Sequence, residues 1–125
     1  DILKNKGYEL EKVYWTENVF FVRNTDKSEI SQIQEYKDGL FYIQNLSSIL
    51  PALVLNPKKN DKVLDMCAAP GSKTTHICAL VNNKANVIAN DSDSARINAM
   101  RNVLHQFGAD AKVSLNDGKI FSYFF

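Results

Sequence analysis

The sequence is poor in the residues that most often announce a function. Cysteine occurs twice in 125 residues, as Cys67 and Cys78. The two are not spaced as Cys-x-x-Cys and no histidine stands at ligand spacing, so no metal site is expected. Two free thiols suit a reducing compartment. Three prolines and five glycines exclude a linker-rich or low-complexity chain, and there is no internal repeat. Charge of one sign is not in excess: 15 Lys and Arg stand against 14 Asp and Glu, a formal net charge of +1. Composition therefore predicts no strong nucleic-acid partner, and any RNA contact must be read from a motif. No apolar run approaches the length of a membrane span. Asp1 to Lys6 contain no apolar stretch of the kind a secretion signal needs. Together these absences predict a soluble cytoplasmic protein without membrane or metal partners.

What is present is enough to build a core: 45% of residues are hydrophobic and 10% aromatic. The pattern changes near Gln44. Residues 1–44 are aromatic, charged and irregular. Val13-Tyr14-Trp15 and Phe20-Phe21-Val22 are β-prone runs joined by Thr16-Glu17-Asn18, which predicts a hairpin. Asn24 to Ser28 is expected to be a polar loop. Asp38-Gly39 is a turn pair, and Leu40 to Ile43 after it is expected to be a strand. Ser47 or Ser48 is placed to cap a helix running to Leu55, with Pro51 in its first turn and Asn56-Pro57 ending it.

From residue 62 the pattern is regular. Lys62 to Cys67 is an apolar strand, Gly71 to Val81 a helix, and Asn86 to Asp91 a second strand. Ser92 then caps a helix whose apolar residues Ile97, Met100, Leu104 and Phe107 share one face, and Gly108 ends it. Lys112 to Asp117 is a third strand. Strand, helix, strand, helix, strand predicts an α/β fold, a partial Rossmann-like sheet. The first strand would lie at an open apolar edge, and Ser122 to Phe125 form an aromatic end with no evident partner. Both features predict further sequence after Phe125.

Ligands of such sheets sit beyond the carboxyl ends of the strands. Three features fall there. Asp65 to Lys73 joins the first strand to the first helix. Small residues at Ala68, Ala69 and Gly71 allow close backbone approach, and N–H groups at the helix start suit an anionic group. The same residues would equally make an ordinary tight turn, and Gly-x-Gly-x-x-Gly is absent, which disfavours a dinucleotide-dependent oxidoreductase. Asp91 ends the second strand twenty positions after Gly71, where a carboxylate accepts from both hydroxyls of a ribose. Taken alone it would only complement a helix dipole; beside the loop it fits a nucleoside site. Asp93 competes but serves the dipole better. Asp117 ends the third strand, where it could face a nucleobase or serve as a turn residue. His76 and His105 have no acid or thiol partner at a telling spacing. Cys78 is expected in the core, Cys67 to be structural rather than nucleophilic, and Trp15 to be packed rather than stacked on a base.

These residues carry a resemblance. Asp65-Met66-Cys67-Ala68-Ala69-Pro70-Gly71-Ser72-Lys73-Thr74-Thr75 resembles the first motif of the Nop/Sun-type RNA (cytosine-5) methyltransferases. Gly39 to Gln44 with Ser47-Ser48 resembles the segment leading into their catalytic domain. Ala89-Asn90-Asp91 with Arg96, and Asn116-Asp117-Gly118, are similar to their second and third motifs. The wording Gly-Leu-Phe-Tyr-Ile-Gln and Asp-Gly-Lys-Ile-Phe is most similar to the bacterial branch that modifies small-subunit ribosomal RNA.

The resemblance implies a partial S-adenosylmethionine-dependent methyltransferase sheet over residues 45–125. Residues 1–44 would be the tail of a small N-terminal α+β RNA-binding domain. It implies that Cys67, Ala68, Ala69, Pro70, Gly71, Ser72 and Lys73 wrap the methionine end of S-adenosyl-L-methionine, that Asp91 holds the ribose and Asp117 the adenine side, that Lys73 also faces RNA, and that Arg96 supports. The family's reaction uses a thiolate that attacks carbon six of cytosine, after which carbon five takes the methyl group. Its cysteines lie in Pro-Cys and Thr-Cys motifs. No Cys follows a Pro or a Thr in this sequence, so no catalytic residue is assigned, and the 125 residues alone are expected not to turn over. The competing expectation is a catalytically silent fragment that binds cofactor or RNA.

Overall fold

A computed structural model describes residues 1–123. The chain opens with a short helix α1 (Ile2–Asn5) and a hairpin of β1 (Leu10–Lys12) and β2 (Phe20–Val22), paired antiparallel with Glu11 opposite Phe21. The hairpin is shifted from the expected Val13-Tyr14-Trp15 strand. Val13 has left the ladder, donates its N–H to Val19 O at 3.0 Å and is buried; Tyr14 and Trp15 lie in the connecting loop. Trp15 is 43% exposed rather than packed. Asn18, at φ 58°, lets the loop turn back on itself.

Two short helices follow, α2 (Lys27–Ile30), which begins inside the loop expected at Asn24 to Ser28, and α3 (Gln34–Lys37). Asp26 caps α2 by accepting from Glu29 N at 2.9 Å. Leu40 to Ile43 form no strand. Their β-prone side chains have no strand to pair with and pack as aromatics instead. Tyr42 meets Phe107 at 4.6 Å between ring centroids, and Tyr36 contacts both Phe41 and Phe107.

Helix α4 (Leu46–Leu55) starts at Asn45 without a side-chain cap, so neither Ser47 nor Ser48 is its N-cap, and Pro51 lies inside the helix rather than in its first turn. Asn56, left-handed at φ 47°, ends it before Pro57. From there the order is β3 (Lys62–Asp65), α5 (Ser72–Leu80), β4 (Asn86–Asp91), α6 (Ser94–Gln106) and β5 (Ala111–Leu115), then a 3-10 turn over Gly118–Tyr123. The strand β3 stops at Asp65, short of the expected Cys67. The cap of α6 is Asp93, not Ser92: its Oδ1 accepts from Ala95 N at 2.8 Å and Arg96 N at 3.2 Å. A carboxylate at the N-cap serves donors and dipole together, and the shorter serine lies one position too early. At the other end Ala109 N bonds Leu104 O and Gly108 N bonds His105 O, the paired closure that a glycine past the C-cap permits.

The three strands form one parallel sheet in the order β3-β4-β5, with Val63 opposite Val87 and Ala89 opposite Val113. Alternation assigns the faces. Val63, Val87 and Ala89 are buried on one face, with the half-buried Ala111 and Val113 beside them. Ala52 from α4, Ile77 and Cys78 from α5, and Ile97, Met100 and Leu104 from α6 pack onto that same face. Each fully buried aliphatic or Met side chain there stabilises by roughly 1.5–3 kcal/mol. The strand β3 is an edge of this sheet, as the sequence predicts. The expectation for Phe124 and Phe125 lies outside the described residues. Among the described residues no helix is long and apolar enough to cross a membrane.

Candidate functional site

The carboxyl ends of the three strands open into a cleft of about 490 Å³, within the roughly 300–1,000 Å³ that small-ligand sites occupy. Met66 and Cys67 form the lip after β3. Asn90, Asp91, Ser92 and Arg96 come from the end of β4 and the start of α6. Asn116 to Lys119 form the lip after β5. Of the residues singled out by sequence, Cys67, Asp91 and Asp117 line this space together. Ala68 and Ala69 are buried behind it, Gly71 is buried against α6, Ser72 is half-buried, and Pro70 and Lys73 are exposed.

Asp91 is 2% exposed and organises the site. Its Oδ2 accepts from Ala69 N at 3.2 Å, and its Oδ1 accepts from Asp93 N at 3.2 Å. Arg96 Nη1 lies 3.4 Å from Oδ1, while its Nη2 donates to Ala69 O at 2.7 Å. The carboxylate and guanidinium thus hold both polar groups of residue 69. A carboxylate offers about four acceptor positions. Two are taken by backbone N–H groups, and the others remain for Arg96 and a ligand.

The small-residue loop is held from the inside. Ala68 N donates to Asn90 O and Gly71 N to Ala68 O, both at 2.7 Å. Its N–H groups at Ala68, Ala69 and Gly71 are therefore spent on the fold. The helix that follows differs: Gly71 is the N-cap of α5, with no side-chain cap bond, so the first-turn N–H groups face outward without one. Gly71 stands at φ 108°, and a Cβ there would meet Met100 Cγ at 3.3 Å, so conformation and close packing both call for glycine. The Ala69–Pro70 bond is cis. Below the loop, Thr74 Oγ1 donates to Asp65 Oδ2 at 2.7 Å and anchors α5 to the end of β3.

Asp117 is exposed, and its Oδ1 accepts from Lys119 N at 3.0 Å. That single bond leaves most of its acceptor capacity free. Cys67 is exposed at the cleft, whereas Cys78 is 1% exposed in the core, as its helical position suggested. Burial, and secondarily the charge of Asp110, push the Cys78 thiol up to about 11. His76, on α5, is half-buried, and burial lowers its imidazole below the ordinary value; His105 is exposed on α6. Neither lines the cleft. Among the described residues no three His, Cys, Asp or Glu side chains gather to hold a metal.

Sequence reasoning gave no role to Asn90, Met66 or Lys119. No signal along the chain marks Asn90, since β4 also carries Asn86 and Asp91 and the carbonyls that Asn90 reaches follow other strands.

A protein-family model described as 16S rRNA methyltransferase RsmB/F matches residues 52–124. Ribosomal RNA small subunit methyltransferase F of Vibrio atlanticus is 41% identical over 123 residues, covering 94% of this chain and 26% of that protein. Its counterpart from Shewanella amazonensis is 37% identical, covering 96% and 26%. The chain thus spans about a quarter of the length of these curated relatives. Among solved structures, NSun6 from Pyrococcus horikoshii with SFG superposes with a TM-score of 0.71 at 37% identity, over 74% of this chain and 24% of that one. A methyltransferase homologue from the same organism superposes with a TM-score of 0.78 at 32% identity, over 93% and 37%. The strand-loop-helix sequence, the sheet order and these matches agree, and the chain belongs to the RsmB/F family of 16S rRNA methyltransferases.

Proposed function

We propose that these residues form the S-adenosylmethionine-binding front of an enzyme that methylates carbon five of a cytosine in small-subunit ribosomal RNA. The observation that carries the reading is the cleft itself. One buried carboxylate with an acceptor position left (Asp91, the last residue of β4) and one exposed carboxylate (Asp117, two positions after β5) line it together, beside the loop of Cys67 to Lys73. The cofactor, when bound, supplies the methyl group.

The chain's own residues bind and orient. Asp91 accepts from a ribose hydroxyl while its other contacts keep Ala69 in place. Asp117 accepts from the exocyclic amine of adenine. The uncapped first turn of α5 receives the methionine carboxylate, and Lys73, exposed at that turn, adds positive charge for carboxylate or RNA. Residues 1–44 are the tail of an RNA-binding unit, and residues 45–125 the first part of the methyltransferase domain.

The thiol chemistry belongs to residues outside this set. Cys78 is buried with a raised pKa, and Cys67 lines the cleft assigned to the cofactor. The 125 residues alone therefore bind and do not turn over. The test is titration of S-adenosylmethionine into the natural full-length protein and its Asp117→Asn variant. Affinity is expected to fall about tenfold or more in the variant, as for loss of a hydrogen bond to a charged group. Equal affinities would remove the adenine assignment, and an absence of binding by the parent protein would remove the cofactor.

A further inference from the structure

The middle strand ends in a residue that touches everything around it. Asn90 is 0% exposed. Its Nδ2 donates to Met66 O at 3.1 Å and to Asn116 O at 3.0 Å. Met66 follows β3 by one position and Asn116 follows β5 by one, so one carboxamide spans both flanking strands just where they leave the sheet. The backbone of the same residue receives Ala68 N at 2.7 Å, and Asp91 O beside it receives Asn116 N at 3.2 Å. Met66, Asn90 and Asn116 all line the cleft.

The orientation of the carboxamide follows from its neighbours. Turned over, its oxygen would face two carbonyl oxygens. In the orientation that satisfies them, Oδ1 is buried with no partner among the described residues. An acceptor stranded in this way weakens the fold, so stability alone is a poor reason for an asparagine here. What it does supply is the pair of donors. Beyond Met66 the lips are already in contact: a Cβ on Gly118 would come within 3.0 Å of Met66 Cγ and Sδ. A small outward swing of residue 66 or 116 therefore changes the spacing between Cys67 on one lip and Asp117 on the other.

We propose that Asn90 is a positioning residue, which fixes the width of the cleft by tying the ends of β3 and β5 across β4. The proposal rests on the cleft being the S-adenosylmethionine site. Asn90 contacts no reacting atom; it acts through Met66, Asn116 and, by its backbone, Ala68.

The test uses the natural full-length protein and reads three quantities: the Kd for S-adenosylmethionine, the KM for small-subunit RNA, and the melting temperature. Asn90→Leu keeps a similar volume and removes both donors. Asn90→Asp keeps the shape and replaces the donor nitrogen by oxygen, and it decides the matter where the leucine variant does not fold. In either folded variant the cofactor Kd is expected to rise about tenfold or more, as for a lost buried donor pair, with the RNA KM unchanged. A cofactor Kd equal to that of the parent in a folded variant overturns the role of Asn90. So does a rise in RNA KM that matches the rise in cofactor Kd, or failure of both variants to fold, since either makes the residue one of general stability. A parent protein that binds no S-adenosylmethionine overturns the site reading itself, which is distinct from a parent that binds and variants that bind equally well.

Discussion

The two thiols have opposite surroundings. Cys67 is exposed at the cleft; Cys78 is enclosed by α5 and the sheet, and its thiol is raised from 9.0 to about 11, chiefly by burial. Thiolate is the reactive form, so a maleimide is expected to label Cys67 in the native protein and to reach Cys78 only after unfolding. Mass spectrometry of the labelled peptides checks this, and native labelling of Cys78 would contradict the packing. The raised pKa has a signed consequence. The folded state holds the Cys78 proton more tightly than the unfolded state does, so this contribution to stability is whole below about pH 9 and is lost as pH rises toward about 11. Denaturation curves at pH 8 and pH 11 are expected to differ more for the parent than for Cys78→Ala. At this scale the sequence was informative where a residue's role depended on its own chemistry and position, as with the buried helical Cys78. It was silent on Asn90, whose role depends on two carbonyls contributed by other strands.

Among the elements, α6 connects the two halves of the chain. Its cap, Asp93, satisfies two first-turn donors. Asp93→Ala is expected to destabilise by about 1 kcal/mol, measured by urea denaturation, and Ser92→Ala by much less. At its far end α6 receives the segment before α4. Gln106 Nε2 donates to Tyr36 O at 2.9 Å, and Gly39, at φ 74°, lies so close that a Cβ there would fall 2.0 Å from Gln106 O. Backbone cannot yield as a side-chain tip can. Gly39→Ala is therefore expected to cost about 2 kcal/mol or more and to release the Tyr36 and Tyr42 rings from Phe107. Loss of the near-ultraviolet dichroism of those tyrosines would report the release. The pattern of residues 62–115 announced its elements because α6 carries apolar residues at helical spacing and the strands are short apolar runs between turns. The strand expected at Leu40 to Ile43 did not form because β-prone residues without a partner strand pack as isolated side chains.

For the whole molecule, β3 lies at an edge of the sheet among the described residues, and Leu50, Val54, Leu55 and Leu80 are exposed, Val54 at 83%. An open strand edge with exposed apolar residues promotes self-association. The 125-residue polypeptide made alone is expected to sediment as a mixture of monomer and larger species, and Val54→Lys to shift it toward monomer. With labelled S-adenosylmethionine and unmodified small-subunit RNA it is expected to transfer no methyl group. Incorporation at cytosine carbon five would require a catalytic role for Cys67.

The sequence by itself determined the alternation of strands and helices, the strand-end position of Asp91, and the family, because these follow from local periodicity and from a contiguous run of residues; Asp117, expected at the tip of the third strand, lies two positions past its end at Leu115. Only the tertiary structure decided that three helices share one face of the sheet and that Arg96 and Asp91 clamp residue 69. It also decided that Asn90 joins the two lips of the cleft. Those facts depend on which backbone groups the strands bring within hydrogen-bonding distance. The partners lie more than twenty positions apart, and no spacing along the chain encodes that meeting.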